Sequence, residues 1–381
     1  MQHLSIDIET RSSVNISKCG AYKYAQSEDF EILLFSYKLN DSEVKLVDLK
    51  QGEKIPDDIV ALLNNPDCIK HAYNAAFEWY CLNRAGYETN ISQWRCTMMH
   101  ATYLGLPAGL GMTGKAIGIA EDKKKLTTGS RLIQYFSVPC KPTKTNGGRT
   151  WNEPHHDLDK WKLYCEYNMQ DVEAEYEIYR YLKVFEVPAK EQRLWEMDIL
   201  MNAKGVKIDK MLVESILKID AESMEKLTEE AYQITELENP NSISQLKSWV
   251  ENQLEEDLPG LTKDVISDLL SRDSLPLKVK RVLEIRQQLG KTSVSKYSAM
   301  ENAMCEDDRV RGLLQFYGAN RTGRWAGRLV QVQNLPRNYI STLDTARELA
   351  KIGNFDGLKI LYNNVPDTLS QLVRTAFITS K

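Results

Sequence analysis

The sequence predicts a mixed α/β sheet domain followed by a mainly helical region, and three observations support this prediction. The first third alternates short β-rich runs with helical segments, whereas long charged helices dominate from about residue 188. Three strands in a row, then a helix, a strand and a helix, are typical of a mixed sheet flanked by helices. At 381 residues the chain is also too long for one ordinary compact domain. We therefore expect domain boundaries near residues 187 and 310.

The first predicted strand, HLSIDIET, combines an apolar face with an acidic one. Successive strand residues point to opposite sides, so Leu4, Ile6 and Ile8 line one face while Asp7 and Glu9 lie on the other. Two carboxylates side by side repel each other. Either this is an edge strand with charges on its solvated face, or the two acids serve a site.

The rest of the first third follows from the same rules. Short runs rich in β-branched and aromatic residues indicate strands, and longer periodic runs indicate helices. A looser segment, 107–157, contains KPTKTNGGRT, whose Pro, Gly and Asn content indicates an exposed loop. In chain order, the predicted elements are strands at 31–39 and 43–49, a helix at 57–64, a strand at CIKHAYN, a helix from Ala75 and a long helix at 157–185.

From residue 188 the pattern predicts long helices. In NPNSISQLKSWV, Ser242 and Gln245 have the spacing of a capping box that starts a helix. After residue 310 a segment rich in Gly and Arg indicates loop with short strand. The predicted helices lie at 189–203, from Asp209 to Ile234, after Ser242, and along the whole of LKVKRVLEIRQQLGKTSVSKYSAM.

Composition limits the classes of protein to which this chain can belong. A net charge of −4 argues weakly against a nucleic-acid protein, but binding depends on where Lys and Arg are concentrated. Seven scattered cysteines without a CxxC pair indicate neither a disulfide framework nor a zinc site. The sequence has no apolar run of membrane-spanning length and no leader, so we expect a cytoplasmic protein. The local concentrations of cations are at Lys123–Lys125, along Arg281–Lys296, and at Arg321, Arg324 and Arg328.

Three acidic segments of the first domain form one hypothesis. Asp7 and Glu9 share a strand face, Glu78 lies on the opening turn of a helix, and Tyr167 and Asp171 are four apart on one helix face. Four acids at one place require cations, and carboxylates are suitable ligands for two Mg²⁺ (or Mn²⁺) ions. Two such ions about 4 Å apart support phosphodiester hydrolysis. Tyr167 would orient the attacking water, or it is simply a packed core residue.

The three segments resemble the motifs of a known superfamily. DIET, NAAFE and YNMQD resemble the three motifs of the DEDD exonucleases, in the subtype with Tyr, which proofreads for family A DNA polymerases. GVKID resembles the approach to that family's thumb, TGRW and VQNLPR its early palm, and LVRTAF the approach to its first polymerase motif. The resemblance spans nearly the whole chain and is closest to phage-encoded members. It implies a ribonuclease H-like exonuclease domain at 1–187, a helical thumb-like region at 188–310 and an incomplete palm at 311–381.

The resemblance also implies roles for individual residues. Asp7, Glu9 and Asp171 would hold the metal nearer the attacking water, and Asp7 would bridge to the second metal. Glu78 stands where the family has Asp, which leaves open how the second metal is held. The first polymerase aspartate, the fingers helix and the later motifs are absent from the sequence given. We therefore expect a 3′–5′ exonuclease that does not polymerise alone, with the remaining polymerase part as a possible partner.

DNA is the expected partner, as a single-stranded 3′ end and as a primer–template duplex. Phosphate contacts would confer affinity without sequence preference, and minor-groove contacts would test pairing geometry. The predicted DNA-binding residues are Asn74 beside the acids, Arg286, Lys291 and Lys296 on the thumb, and Arg324, Gln333 and Asn334 near the primer end. Candidates for stacking on bases are Tyr73, Phe77, Tyr135 and Phe136, although aromatic residues at such spacing are more often part of a core.

Other functions fit parts of the pattern. One alternative is a DNA-binding module whose nuclease is weakened by Glu78. Another is an RNA-trimming nuclease of the same superfamily, although the thumb-like and TGRW segments favour DNA. A purely structural protein would leave the clustered acids unexplained.

Overall fold

A computed structural model describes residues 2–119, 129–290, 294–319, 322–362 and 364–379. The predicted cations at 123–125, 291 and 321 lie outside these ranges. The chain divides into two compact units, one of Met1–Gly205 with Ala303–Gln333 and the other of Val206–Asn302 with Asn334–Lys381. The first unit therefore includes the helix after residue 188 and the segment 311–333, which the sequence boundaries assign to later domains.

A five-stranded mixed sheet is the centre of the first unit. Its spatial order is β3-β2-β1-β4-β5, with β1, β2 and β3 antiparallel and β4 and β5 parallel to β1. This confirms the prediction of a mixed sheet. The strands are β1 (Gln2–Arg11), β2 (Glu31–Leu39), β3 (Lys45–Asp48), β4 (Cys68–Ala72) and β5 (Trp94–Cys96).

Strand β1 lies in the middle of the sheet, so the edge-strand explanation for its acids is wrong. Leu4, Ile6 and Ile8 are buried in the core on one face, as the alternation predicts. The pairing of β1 with β2 shifts register between Glu9 and Thr10, where β2 carries one extra residue. Such a β-bulge leaves two residues of one strand opposite one of its partner.

Helices cover both faces of this sheet. In chain order they are α1 (Ile16–Gln26), α2 (Asp57–Asn64), α3 (Ala75–Arg84), α4 (Thr97–Tyr103), α5 (Leu110–Ala116), α6 (Gly129–Phe136), α7 (Leu158–Leu182) and α8 (Ala189–Lys204). Helix α8 packs on a hairpin of β8 (Leu314–Ala319) and β9 (Arg324–Gly327), which follows the short β7 (Arg309–Val310). Asn202 of α8 exchanges two hydrogen bonds with Leu314, at 2.9 and 3.0 Å.

The second unit is mainly helical. Helix α9 (Lys210–Thr235) begins where the Asp209 carboxylate accepts a hydrogen bond from the backbone N–H of Leu212 at 3.2 Å, a typical N-cap. The elements of the second unit are β6 (Val206–Ile208), α9 (Lys210–Thr235), α10 (Ile243–Leu254), α11 (Lys263–Leu270), α12 (Leu277–Leu289), α13 (Ser295–Ala303), α14 (Leu343–Lys351), α15 (Phe355–Leu361), α16 (Val365–Gln371) and β10 (Phe377–Ile378). Strand β10 pairs with β6.

Three sequence predictions differ from the structure. Helix α10 starts after Ser242 as expected, but the capping box does not form, because the Gln245 side chain accepts from the backbone N–H of Asn239 at 3.0 Å instead. The single helix predicted along LKVKRVLEIRQQLGKTSVSKYSAM is two helices, because α12 ends at Leu289 with Gly290 as its C-cap. The segment 107–157 also contains α5 and α6.

Two further findings concern composition. All seven cysteines are free, and five of them are buried. Within the described ranges, none of the helices has the length and apolar character that crossing a membrane requires.

Candidate functional site

The inner face of helix α7 packs across strands β1 and β2 and carries both apolar and polar side chains. Its positions at i, i+3 and i+4 spacing point to the sheet, because this spacing lies on one side of a helix. The buried residues along the relevant stretch are Trp161, Tyr164, Tyr167, Asn168 and Asp171. The helix thus brings the third acidic segment onto the face of β1 that carries Asp7 and Glu9.

The Asp7 carboxylate is held from α7 and from β2. The Asn168 amide donates to Asp7 at 2.6 Å, and the Ser36 hydroxyl donates to the amide oxygen of Asn168, also at 2.6 Å. Ser36 lies directly opposite Asp7 in the β1–β2 ladder. This chain orients one oxygen of Asp7 while the residue itself remains partly exposed.

The Glu9 carboxylate is held by a second tyrosine of α7. The Tyr164 hydroxyl donates to Glu9 at 2.7 Å and also bonds Ser137 at 2.8 Å. Its ring stacks between Phe136 and Tyr167, with centroids 5.4 and 6.3 Å away. A fixed ring fixes its hydroxyl, so Glu9 is oriented by packing as well as by hydrogen bonding.

Tyr167 lies among the acids, as the sequence predicts. Its hydroxyl is hydrogen-bonded to Asp171, and burial, with the charges of Asp171, Glu9 and Asp7, raises its pKa far above the ordinary value. The ring also passes close to the backbone of Gly129: a Cβ there would lie 2.0 Å from Cε2 of Tyr167. Helix α6 can therefore approach this tyrosine only with glycine at its first position.

Glu78 reaches the same place from the first turn of α3. It is buried, and its Oε2 has no hydrogen-bond partner among the described residues. Burial, with the charges of Glu9 and Glu175, raises the pKa of Glu78. An isolated buried carboxylate is costly unless it is protonated or meets a cation.

Glu175, one helical turn beyond Asp171, is a buried acid that the sequence reasoning missed. It accepts hydrogen bonds from Thr97 and Ser5, and burial raises its pKa to about 7. Its Oε2 has no partner within the part of the chain that the structure describes. The sequence signal for Glu175 was its i+4 spacing from Asp171. The YNMQD motif ends at Asp171 and does not include Glu175.

The side-chain geometry does not by itself form a metal-binding group. Among the described residues, no cluster of three or more His, Cys, Asp or Glu side chains is set to hold an ion. Asp7 and Glu9 are turned toward Asn168 and Tyr164. The chemistry of the donor set nevertheless fits a hard divalent cation, since it consists of carboxylate oxygens and includes the unpartnered Oε2 of Glu78.

The predicted DNA-binding residues fall in both units. Asn74 is exposed at the start of α3, beside Glu78. Arg286 and Lys296 are half-buried on α12 and α13 of the second unit, and Lys291 lies outside the described residues. Arg324 and Gln333 are exposed in the first unit, and Asn334 is exposed in the second. Their role in DNA binding stays a prediction.

The aromatic candidates for base stacking separate into two groups. Phe136 is fully buried between Trp161 and Tyr164, so its proposed role in stacking on bases is wrong. Tyr73, Phe77 and Tyr135 are half-buried. The Tyr73 hydroxyl bonds Thr113 at 2.7 Å, which ties this ring to the core.

The chain is similar to DNA polymerases in sequence and in fold. The chain matches no protein-family model. It is 50% identical over 385 residues to a DNA polymerase of Bacillus phage SP02, and the alignment covers all of this chain and 58% of that protein. The chain thus spans a little more than half the length of this relative.

The fold is similar to that of a solved polymerase domain. The structure of the POL domain of Pol1 from M. smegmatis, in complex with DNA primer-template and dNTP, superposes with a TM-score of 0.52 at 15% identity. The superposition covers 91% of this chain and 54% of that one. At this identity the likeness concerns the fold.

Proposed function

We propose that this chain is a metal-dependent 3′–5′ exonuclease that removes nucleotides from single-stranded or frayed DNA 3′ ends, as the proofreading part of a family A DNA polymerase. One observation carries the proposal. Four acids from three distant segments, Asp7, Glu9, Glu78 and Asp171, converge with Tyr167 between α7 and a central strand. A structural role does not account for this, because burying like charges together destabilises a fold.

The residues present suit two Mg²⁺ or Mn²⁺ ions. Asp7, Glu9, Asp171 and Glu78 would hold them, and the ions would supply Lewis-acid stabilisation of charge on the phosphodiester and a nucleophile at neutral pH. Glu78 carries one methylene more than the aspartate of the resembling family. Its buried Oε2 has no hydrogen-bond partner among the described residues, and the charges of Glu9 and Glu175 act on this carboxyl group, so the longer side chain suits the ligand position.

The other residues of the site position the acids and the substrate. Asn168 and Tyr164 orient Asp7 and Glu9 by single hydrogen bonds of 2.6 and 2.7 Å. The Tyr167 hydroxyl remains protonated at neutral pH, since its pKa is strongly raised, and it would hold the attacking water by a hydrogen bond. Asn74, exposed beside Glu78, would contact the strand that enters.

A role beside a polymerase is supported by the similarity to the phage SP02 DNA polymerase over this entire chain. DNA is the proposed substrate because of the same similarity. The ribonuclease H-like fold is implied by the resemblance of the three acidic motifs. The proposed duplex contacts within the described ranges are Arg286, Lys296, Arg324, Gln333 and Asn334. Phosphate contacts of this kind make binding weaken as salt rises.

The test is cleavage of a 5′-labelled single-stranded DNA with Mg²⁺, by wild type and by Asp7→Ala. We expect a ladder that shortens from the 3′ end and a rate loss on the order of 10³-fold or more in Asp7→Ala, as for a residue that stabilises the transition state. Asp67→Ala is the matched control, because Asp67 is an exposed aspartate of the same unit. EDTA should abolish cleavage by every variant.

Other substrates distinguish DNA proofreading from RNA trimming and from DNA binding without cleavage. A duplex with a mispaired 3′ end should be cut faster than a fully paired one, because fraying lowers the cost of unpairing. Faster cutting of an RNA strand would replace this proposal by RNA trimming. Tight DNA binding without cleavage, with Mg²⁺ or Mn²⁺, would mean that the site is inactive.

A further inference from the structure

The first unit has a cavity beside strands β1, β4 and β5. It has a volume of about 580 Å³, and its lining includes His3 of β1, His71 of β4 and Arg95 of β5. His71 pairs with Arg95 in the sheet, and the His3 side chain contacts that of His71. Asp7 and Glu9 occupy the later part of β1. The cavity is therefore distinct in its residues from the acidic site.

Permanent cations dominate its lining. Arg95, Lys183 and Arg193 face it, against one carboxylate, Glu186, among the described lining residues. Arg95 and Lys183 both act electrostatically on His3, which also lines the cavity. The Nη1 of Arg95 donates to two backbone carbonyls, those of Ser92 and Trp94, at 2.9 and 2.8 Å, so backbone contacts hold its guanidinium in place. Glu196, which also acts on Arg95, lies outside the lining.

Aromatic rings form another part of the wall. His71 and Tyr179 have centroids 4.2 Å apart, and His3 stacks on His71 at 5.2 Å with a hydrogen bond of 2.9 Å between their ring nitrogens. Burial lowers the pKa of His71 to about 3 and also lowers the pKa of His3 and His100. The three histidines are therefore neutral at pH 7 and add no charge to the lining.

We propose that this cavity binds a mononucleotide, with its phosphate on Arg95, Lys183 and Arg193 and its base against the rings. Guanidinium groups match phosphate oxygens in charge and geometry, and aromatic rings are suited to stack on a base. The volume falls in the usual range of small-ligand sites, about 300–1,000 Å³. Apolar side chains such as Ile69, Met99 and Val187 complete the lining.

The proposal does not rest on nuclease activity and is tested separately. Isothermal titration calorimetry is done in EDTA with dAMP, deoxyadenosine and inorganic phosphate, using the full chain. We expect one dAMP site, with deoxyadenosine and phosphate each about tenfold weaker or more, since each lacks one half of the contacts. Lys183→Gln and Arg193→Gln should each weaken dAMP about tenfold. Both side chains are exposed on the protein surface, so the variants should fold.

Two controls assign the site. Lys190→Gln removes an exposed cation next to the cavity that is not part of its lining, and it should leave dAMP affinity unchanged. Asp7→Ala should also leave it unchanged. The proposal is overturned if dAMP gives no binding, if deoxyadenosine or phosphate binds as tightly as dAMP, or if affinity is lost in Asp7→Ala and kept in Lys183→Gln.

Discussion

Buried acids of the two units have pKa values shifted in opposite directions. In the second unit, Asp209 is 7% exposed, and its carboxylate forms ion pairs with Arg347 at 2.5 Å and Lys351 at 2.8 Å. Burial raises the pKa of Asp209, but the hydrogen bonds from its partners outweigh this effect and lower the pKa. In the first unit, Glu78 and Glu175 are at least as buried, and their pKa values are raised.

The difference separates a structural acid from a functional one. The charge of Asp209 is neutralised within the fold, and the same carboxylate caps a helix of 26 residues. The charge of Glu78 is opposed by burial and by the charges of Glu9 and Glu175, whereas that of Glu175 is opposed by burial, at a cost to the stability of the unit. Perturbed carboxylates of this second kind mark candidate sites in proteins.

The largest expected effect on stability is at Asp209. Asp209→Asn leaves Arg347 and Lys351 without their shared carboxylate, and we expect a loss of about 2–3 kcal/mol in the free energy of unfolding. Urea unfolding measures it, with Asp264→Asn as control, since Asp264 is an exposed aspartate at a helix start. Asp7→Asn should show the reverse pattern, with activity lost and stability nearly kept. An unchanged urea midpoint in Asp209→Asn would contradict the comparison.

The next effect is expected from Gly129→Ala. The added methyl group would overlap the Tyr167 ring, so the ring must shift, and with it the hydroxyl that is hydrogen-bonded to Asp171. We expect the cleavage rate to fall about 10- to 100-fold, as for a misplaced positioning group, while single-stranded DNA affinity stays within about twofold. Gly114→Ala is the matched control, because its nearest neighbour lies at 3.6 Å, an ordinary contact. Equal rates for the two variants would show that the contact is not important.

The smallest effect is a pH-dependent gain of stability in Glu175→Gln. Because its folded pKa, about 7, exceeds that of the unfolded chain, Glu175 destabilises the fold progressively as pH rises from about 4.5 through 7. Removing the charge should raise the free energy of unfolding by about 1–2 kcal/mol near pH 8, with the gain shrinking toward pH 5. Unfolding in EDTA at both pH values measures this.

Glu166→Gln, at an exposed position of the same helix, is the control for that measurement and should show little change at either pH. A gain for Glu175→Gln that is the same at both pH values would point to packing rather than to ionisation.

Much of the fold could be predicted from the sequence, because local patterns determine it. The alternation in HLSIDIET, the turn residues after the second strand and the inner face of α7 all follow from periodicity. What could not be predicted depends on competition between partners: Gln245 accepts from Asn239 rather than completing a capping box. The short helices α5 and α6 carry too few residues for a clear periodic signal.

The candidate site shows the same limit. Its acids and Tyr167 stand out by type and spacing, whereas Gly129 has no signal in sequence, since its role depends on how closely α6 approaches a ring from another helix. Asn168 and Tyr164 share a face with the motif, but only the folded chain shows that they hold Asp7 and Glu9.

The β-bulge beside Glu9 has a consequence for how this protein tolerates changes in length. Leu33 is the extra residue: it and Leu34 both pack with Phe136 toward α7, whereas Ile32 and Phe35 lie in the core on the other face. Deleting one residue from an inner strand normally inverts the facing of all residues beyond it. Here, deletion of Leu33 would restore regular alternation and leave every other side chain of β2 on its present side. The sheet thus contains one position at which a strand could shorten without moving the acids.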